Sequence, residues 1–388
     1  MSNKQPNICL LMMVKNEEDV ILKTLESVIG TVNSIVIYDT GSVDDTIKII
    51  TEFSDRHKDI TLRIKNGEFV DFSVSRNIAI EFAEEDESID FLLLLDANDV
   101  LQDGDKLIEF ATAELNNDEN KSSFEYGAYM IKQRWYYSSK HDDYFNTRFF
   151  RPRLSWKYQR PVHEYLYRTD GVQGTAKHAT GGVITQDRNI DAHKSYERFK
   201  RDKDILMKEH LKDPSDARTV FYLAQTYSGL GMSEEAYHYY KLRTHLEGFY
   251  EEVFQSYVKL GDIATLLDME PSVIIKWYTL ALHKLHRLEP VNKLAEFYLF
   301  RSNLSNSKSL AWMYTSLAQK MKPPTDALLW VDKDAYYYKR YHLHGIAAYY
   351  CNEYESGSIA CKIAIARKGL DVDKNNLKFY DDKLSIKD

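Results

Sequence analysis

Residues 91–99, Phe-Leu-Leu-Leu-Leu-Asp-Ala-Asn-Asp, decide how the fold of this chain is interpreted. The first five residues are all apolar, as in a strand that is buried on both faces of a parallel sheet. The run ends at Asp96 and Asp99, with Asn98 between them. In open α/β sheets, ligands bind just beyond the carboxyl ends of the strands. Oxygen atoms at that edge suit a divalent cation that holds a phosphate, although a simple polar turn explains the same residues.

The run at residues 34–38, Ser-Ile-Val-Ile-Tyr, is a second predicted strand with an acidic end. Asp39 follows it directly, and Asp44 closes the segment Asp-Thr-Gly-Ser-Val-Asp. Capping of the next helix, by Ser42 or by Asp44, explains the second half of this segment. Capping does not explain Asp39, so we expect Asp39 to lie at a binding site.

The run at residues 8–14 is a third predicted strand, and Asn16 and Glu17 lie at its end. In the segment Phe-Ser-Val-Ser-Arg-Asn, Arg76 and Asn77 open a further predicted helix. Polar residues therefore follow several predicted strands in succession. If these strands are parallel, their carboxyl ends meet at one edge of the sheet.

The order of these four segments resembles the family 2 glycosyltransferases of the GT-A fold. Each motif is weak alone, but four in this order are specific, and the resemblance covers about the first half of the chain. It implies an α/β fold with a GT-A, Rossmann-like nucleotide-sugar-binding domain at residues 1–195. It also implies a nucleotide-sugar donor, which we take to be a UDP-sugar, and inversion at the anomeric carbon.

The resemblance also gives roles to individual residues. Asp39 matches the residue that accepts a hydrogen bond from the nucleotide base. Arg76 matches a position near the base and the diphosphate, where a positive charge favours the donor. The predicted donor-binding residues are Asn16, Glu17, Asp39, Asp44, Arg76, Asn77 and Asp96.

The predicted metal site departs from the family pattern at one position. Asp96 matches the first acid of the DXD motif, whereas Asn98 stands where the second acid is expected. An amide oxygen can bind Mn²⁺ or Mg²⁺ but brings no negative charge. We expect a retained metal site, with Asn98 or Asp99 as the second ligand. Related enzymes often carry a metal-binding histidine further on, where this chain offers Gln186 or His193, and His193 is a further candidate ligand.

The segment 147–164 resembles the acceptor side of a subgroup of these enzymes. Inverting transfer needs a general base for the acceptor and cations for the departing diphosphate. Glu164 is the predicted catalytic base, and His163 is its partner or a group near the phosphates. Asp142 and Asp143 are rival bases. Three arginines of this segment either line the diphosphate site or form a solvated basic face: Arg148, Arg151 and Arg153.

After the predicted catalytic domain, the strand patterns stop and helical periodicity takes over. Residues 220–240 and 343–366 have the small-and-large spacing of a tetratricopeptide (TPR) repeat. Residues 254–285 and 294–317 are interpreted as two divergent helix pairs. We therefore predict an all-α, TPR-like helical domain at residues 196–388, with about four stacked hairpins. Its groove is a candidate surface for a protein partner, an acceptor or self-association.

Composition fits two domains and argues against several classes of function. A chain of 388 residues with 44% hydrophobic residues can supply two cores. The formal charge of −8 argues against a general nucleic-acid binder. Three cysteines give neither a disulfide framework nor a zinc spacing, which favours a reducing compartment. With no signal peptide and no transmembrane run in the sequence, we expect a cytoplasmic protein.

The resulting hypothesis is a metal-dependent glycosyltransferase of the hexosyltransferase type, with a peptide, protein, glycan or lipid acceptor. The main alternative is a TPR-type protein-interaction scaffold with an inactive glycosyltransferase-like domain, which Asn98 alone favours. A nucleotidyltransferase would need a glycine-rich phosphate loop after the first strand, where this chain has Met-Val-Lys-Asn-Glu at residues 13–17. A glycoside hydrolase also uses paired carboxylates but does not need these strand ends.

Overall fold

The computed structural model describes residues 5–116, 127–137, 140–172, 176–187, 192–325 and 327–385. The chain divides into two compact units, Met1–Ser195 and Tyr196–Asp388. In the described residues, the first unit contains the strands and the second unit is built from helices. Each unit is described by itself.

The first unit is built around a mixed eight-stranded sheet with the strand order β3-β2-β1-β4-β7-β6-β10-β5. A separate sheet pairs β8 with β9 in antiparallel fashion. The strands are β1 (Ile8–Val14), β2 (Ser34–Asp39), β3 (Thr61–Asn66), β4 (Phe91–Leu94), β5 (Val100–Gln102), β6 (Ala128–Tyr137), β7 (Lys140–Phe150), β8 (Trp156–Gln159), β9 (Tyr165–Arg168) and β10 (Lys177–Asp187).

Helices cover both faces of this sheet, as the wholly apolar strands predict. Along β1, Leu10 and Met12 belong to one apolar core, whereas Cys9 and Leu11 belong to the core on the opposite face. The first core also receives residues of α1, α2 and α4, and the second receives residues of α3. The helices are α1 (Ile21–Ser27), α2 (Thr46–Arg56), α3 (Phe72–Glu84) and α4 (Gly104–Asn116).

The carboxyl ends of β2, β1 and β4 meet at one edge of the sheet because these strands are parallel. Val14 of β1 pairs with Asp39 of β2, and Leu11 pairs with Leu94 of β4. Asp96 comes two residues after Leu94. Along the strand direction, Asp96 therefore lies within about one residue of the level of Asp39. Two strand spacings separate their strands, about 10 Å. The three predicted strands that lead to this edge are confirmed.

The second unit consists of helical hairpins. Its helices pack in sequence as the pairs α6–α7, α8–α9, α10–α11 and α12–α13, with α14 against the last pair. Each pair falls on one of the four predicted repeats, so the TPR-like architecture is confirmed. A π-helical segment, Ala335–Lys339, leads into α12. The helices are α5 (Ala192–Lys212), which crosses the boundary between the units, α6 (Ala217–Gly229), α7 (Ser233–Arg243), α8 (Tyr250–Leu266), α9 (Pro271–Lys284), α10 (Leu288–Phe300), α11 (Ser307–Lys320), α12 (Arg340–Tyr350), α13 (Tyr354–Lys368) and α14 (Asp371–Ser385).

The lengths and compositions of the helices bear on membrane association. The longest of the described helices, α5, has 21 residues and carries many charged side chains. A bilayer-spanning helix needs about 20 predominantly apolar residues. No helix in the described part of the chain is both long enough and apolar enough to cross a bilayer.

Candidate active site

The turns after β1 and β2 are fastened to each other by hydrogen bonds. Asp39 is 6% exposed, and its Oδ1 accepts from the main-chain N–H of Ser42 at 3.0 Å and from the Ser42 hydroxyl at 2.7 Å. The Ser42 Oγ in turn accepts from the N–H of Asn16 at 3.1 Å, and Asn16 Oδ1 accepts from the N–H of Val43 at 2.8 Å. Asn16 has φ 55°, which asparagine tolerates better than most residues. Asn16 and Asp39 therefore form one hydrogen-bonded double turn.

Asp44 holds the start of α2. Its Oδ1 accepts from the N–H and the hydroxyl of Thr46 at 3.1 and 2.6 Å, and its Oδ2 accepts from the N–H of Glu18 at 3.2 Å. Desolvation opposes ionisation, but these hydrogen bonds prevail and lower the pKa of Asp44. The N–H of Glu17 donates to Thr46 Oγ1 at 2.7 Å. Both residues thus have contacts that stabilise the turn, and their roles in donor binding stay predictions.

Beyond the end of β4, the Asp96 carboxylate lies between two guanidinium groups. Arg76 Nη2 donates to Asp96 Oδ1 at 2.9 Å, and Arg148 Nη2 donates to Asp96 Oδ2 at 2.8 Å. Arg76 Nε donates to Glu164 Oε1 at 3.0 Å. The Arg76 guanidinium also lies 5.6 Å from the ring centroid of Tyr158, within the range of a cation–π contact. We call Arg76, Asp96, Arg148 and Glu164 the Asp96 cluster.

The pKa values of Asp96 and Asp99 are shifted in opposite directions although the two residues share one turn. The side chain of Asp96 is 37% exposed, and both of its carboxylate oxygens accept hydrogen bonds from arginines. Burial alone would raise its pKa, but the guanidinium groups of Arg148 and Arg76 hold the pKa of Asp96 well below its usual range. Asp99 is 3% exposed, and its Oδ2 accepts from the N–H of Asp96 at 2.9 Å. Burial, together with the charge of Asp96, raises the pKa of Asp99 to about 6.

Asn98, which replaces the second acid of the motif, pairs with another amide. Its Oδ1 accepts from Gln186 Nε2 at 2.5 Å, and Gln186 is 7% exposed on β10. The antiparallel pairing of Thr185 with Val100 brings β10 beside this turn. Of the two residues considered for the third position, Gln186 lies against Asn98. His193 lies in α5, and its side chain is outside what the structure describes.

The oxygen atoms at this sheet edge form a weak site for a divalent cation. Asp96 and Asn98 offer oxygen atoms, which Mn²⁺ and Mg²⁺ prefer. Both Asp96 oxygens are paired with arginines, however, and an amide brings no charge. Among the described residues, no three His, Cys, Asp or Glu side chains form a group that could hold a metal. The set therefore fits a cation that takes its remaining ligands from substrate phosphates.

Asn77 holds the main chain of β8. Its Nδ2 donates to the carbonyl of Tyr158 at 2.8 Å, and its Oδ1 accepts from the N–H of the same residue at 2.6 Å. Both ends of the amide are therefore engaged by one residue, which fixes Tyr158 beside Arg76. Direct donor binding by Asn77 stays a prediction, and the contact seen here is a positioning contact.

The three arginines that the sequence analysis treats as one group have different contacts in the structure. Arg148 belongs to the Asp96 cluster. Arg151 is 9% exposed, and its Nη2 donates to the carbonyl of Glu114 at 2.9 Å. Arg153 Nη1 donates to the carbonyl of Asp86 at 3.0 Å. Arg151 is therefore buried against α4, so a solvated basic face is wrong for Arg151. Arg153 is exposed and bonds the loop after α3, so the solvated face stays open for it.

The segment that precedes β9 carries unusual backbone conformations. His163 has φ 53° and Arg160 has φ 83°, a region that residues other than glycine rarely adopt. Glu164 follows His163 directly, so this turn sets the direction in which Glu164 meets Arg76. The rival base Asp143 pairs with Arg134 through two hydrogen bonds of 2.8 and 3.1 Å. The side chain of the other rival, at position 142, lies outside the described part.

A pair of substitutions at His163 tests the role of this backbone conformation. Asparagine tolerates positive φ, whereas a β-branched side chain does not. We expect His163→Val to be less stable than His163→Asn by about 1–2 kcal/mol. Urea denaturation of the two variants measures the difference. If the two variants unfold with equal midpoints and equal slopes, the positive φ at position 163 does not select against a β-branched residue.

Two contacts of the site were not predicted from the sequence. Tyr158 packs beside Arg76. The sequence signal for its burial is its position two residues after Trp156, which places both side chains on the same face of a strand. The sequence offers Gln186 as a neighbour of the metal but does not predict its contact with Asn98. Asn98 stands where the family has an acid, and Gln186 stands about where it has a histidine. Two amides at these positions are the signal that indicates their pairing.

The comparisons with known proteins address the family. Residues 9–165 match the family model described as Glycosyl transferase family 2. These residues are a glycosyl transferase family 2 domain. The predicted resemblance and the predicted enzyme class, a glycosyltransferase, are thereby confirmed. Every member of the Asp96 cluster and of the double turn lies within this domain.

Similarity of the glycosyltransferase chain to solved structures is weak. The mannosyltransferase PcManGT from Pyrobaculum calidifontis, in complex with GDP-Man and Mn²⁺, is 12% identical over 77% of this chain and 89% of its own, with a TM-score of 0.39. S. aureus TarS 1–349 in complex with UDP is 16% identical over 84% and 94%, with a TM-score of 0.31. MamA is 17% identical over 46% and 96%, with a TM-score of 0.35. The comparison with curated proteins found no match.

Proposed function

We propose that this chain is a metal-assisted, inverting glycosyltransferase that takes a UDP-sugar at the carboxyl edge of its sheet. The observation that carries the proposal is the Asp96 cluster, which lies at the same sheet edge as the double turn of Asn16 and Asp39 in a family 2 domain. A carboxylate such as Asp39 accepts the N–H of a pyrimidine base. The acceptor is left open among peptide, protein, glycan and lipid.

In this mechanism the chain's own residues bind the donor and move one proton. Asp39 positions the base, and Arg76 and Arg148 face the negative charge of the diphosphate. The acceptor hydroxyl attacks the anomeric carbon while the bond to the diphosphate breaks. Glu164 takes the hydroxyl proton, and Oε2 is assigned this role because Arg76 holds Oε1. A divalent cation held by Asp96 and Asn98 would offset the charge of the leaving nucleotide.

The second candidate is an interaction scaffold with an inactive glycosyltransferase-like domain. The Asn98–Gln186 amide pair favours it, since neither side chain brings charge to a cation. Titration calorimetry with UDP, with and without Mn²⁺, separates the two. We expect binding that depends on Mn²⁺. An isotherm without heat under both conditions would favour the scaffold.

Asn98→Asp tests whether position 98 serves the cation. A carboxylate there adds a negative charge beside Asp96, and divalent-cation affinity follows the charge count of the ligands. We expect Mn²⁺ affinity in the presence of UDP to rise by about tenfold, measured by calorimetry. Asn98→Ser is the matched control with a short neutral oxygen. An unchanged affinity in Asn98→Asp would move the ligand role to Asp99.

A further inference from the structure

Arg148 has an unusual set of partners for a buried cation. Its side chain is 11% exposed, and Nη2 donates to Asp96. Nε and Nη1 are buried and have no hydrogen-bond partner among the residues that the structure describes. A guanidinium group has five N–H donors, and leaving buried charged donors unpaired is costly. These two buried donors are therefore suited to an acceptor such as a phosphate oxygen.

Arg76, the other guanidinium group on Asp96, is held differently. It donates to Asp96 and also to Glu164, and its planar group lies beside the Tyr158 ring. Arg76 is therefore fixed by three partners that come from separate parts of the domain. Arg148 is fixed by one carboxylate. Of the two cations, Arg148 is the one that can exchange its partner.

The charges of the Asp96 cluster cancel in the absence of a ligand. Two carboxylates, Asp96 and Glu164, face two guanidinium groups. A divalent cation that approaches Asp96 must compete with both arginines, and like charges repel strongly at such short range. A diphosphate reverses this balance, because it brings negative charge and oxygen ligands for the cation and acceptors for Arg148.

We propose that Arg148 is the counter-ion of Asp96 in the free enzyme and the contact of the donor diphosphate in the complex. Arg148 leaves Oδ2 of Asp96 when the diphosphate binds, and this oxygen then becomes available to the cation. The chain therefore binds nucleotide and cation tightly only together. This inference rests on the proposed function, and it gives Arg148 two alternative partners, so that its removal has opposite effects on the two ligands.

The experiment is calorimetric titration of the full chain with Mn²⁺ alone, and with UDP in the presence of Mn²⁺. In Arg148→Gln, we expect Mn²⁺ alone to bind about tenfold more tightly than to the wild type, because a competing cation is gone. We expect UDP to bind about tenfold or more weakly, because a diphosphate contact is gone. Losing affinity for both ligands, or for neither, would overturn the proposal.

Two further variants keep the test decisive. Arg63→Gln removes a positive charge from an exposed ion pair with Glu85, and should change neither affinity. Arg148→Lys keeps the charge and should keep the weak binding of Mn²⁺ alone. If Arg148→Gln does not fold, titration of the wild type with Mn²⁺, with and without UDP, decides the matter. Tight Mn²⁺ binding by the wild type without nucleotide contradicts the inference.

Failure of this inference and failure of the proposed function are distinguishable. If the wild type binds no nucleotide diphosphate, the proposed function fails. The comparison of Mn²⁺ binding between wild type and Arg148→Gln still decides the counter-ion role, because that arm contains no nucleotide. If the wild type binds UDP but Arg148→Gln binds UDP equally well, the proposed function stands and the role of Arg148 is refuted.

Discussion

Asp96→Ala is expected to lower sugar transfer by about 100-fold to 1,000-fold. The variant loses the carboxylate that lies at the carboxyl edge of the sheet between Arg76 and Arg148. In the proposed mechanism this carboxylate holds the cation and fixes both guanidinium groups for the diphosphate. Removing a preorganised charged group of this kind lowers turnover by about 100-fold to 1,000-fold. A coupled assay for released nucleoside diphosphate measures the loss.

The structure adds a cost in stability that the sequence did not predict. Asp96 neutralises two guanidinium groups whose side chains are 8% and 11% exposed. Removing one partner of a fully buried ion pair typically costs about 3–5 kcal/mol, and we expect a smaller cost here because the Asp96 side chain is 37% exposed. Asp96→Asn is the better probe, because its amide oxygen can still accept a hydrogen bond from one arginine. A folded Asp96→Asn variant with wild-type turnover would refute the assignment of Asp96.

Glu164→Gln is expected to bind the donor with little change and to lose transfer by about 100-fold or more. The amide oxygen can still accept from Arg76 Nε, so the contact that orients this side chain is retained. The amide cannot take a proton from the acceptor hydroxyl. Single-turnover kinetics with a saturating donor separates the chemical step from binding. The pattern expected is an unchanged KM for the donor with a reduced kcat.

Asp143→Asn is the matched control, since it makes the same chemical change in the rival base. Asp143 lies on β7 and pairs with Arg134 through both carboxylate oxygens. We expect this variant to keep most of its transfer activity. Wild-type rates in Glu164→Gln, with a strong loss in Asp143→Asn, would move the role of general base to Asp143.

The sequence predicted the sheet edge because hydrophobic runs and their polar ends are local signals. The apolar strand before Asp96 and the strand before Asp39 both lie where the pattern placed them. Their parallel pairing with β1 then brings the two carboxylates to one edge. The helix pairs of the second unit were predictable for the same reason, since an apolar stripe repeats at a short, regular spacing.

The side-chain partners could not be predicted in the same way, because they join residues distant in sequence. Arg76 and Glu164 are 88 positions apart, and Arg148 and Asp96 are 52 apart. The segment around Arg148 also contains Arg151. Nothing in the composition or spacing of this segment indicates that Arg148 contacts Asp96 whereas Arg151 is buried against Glu114. Only the packing of β7 against its neighbours distinguishes them. Long-range ion pairs therefore remain the part of the site that a single sequence does not specify.

The most direct test of the central claim is a panel of nucleotide sugars incubated with the full chain, with and without Mn²⁺. The claim is that the carboxylates at this sheet edge hold a sugar-bearing diphosphate together with a cation. We predict release of UDP from at least one UDP-sugar in the presence of Mn²⁺, with slower release after chelation. Absence of nucleoside diphosphate release from every donor, together with no binding of any donor to the folded protein, would contradict it.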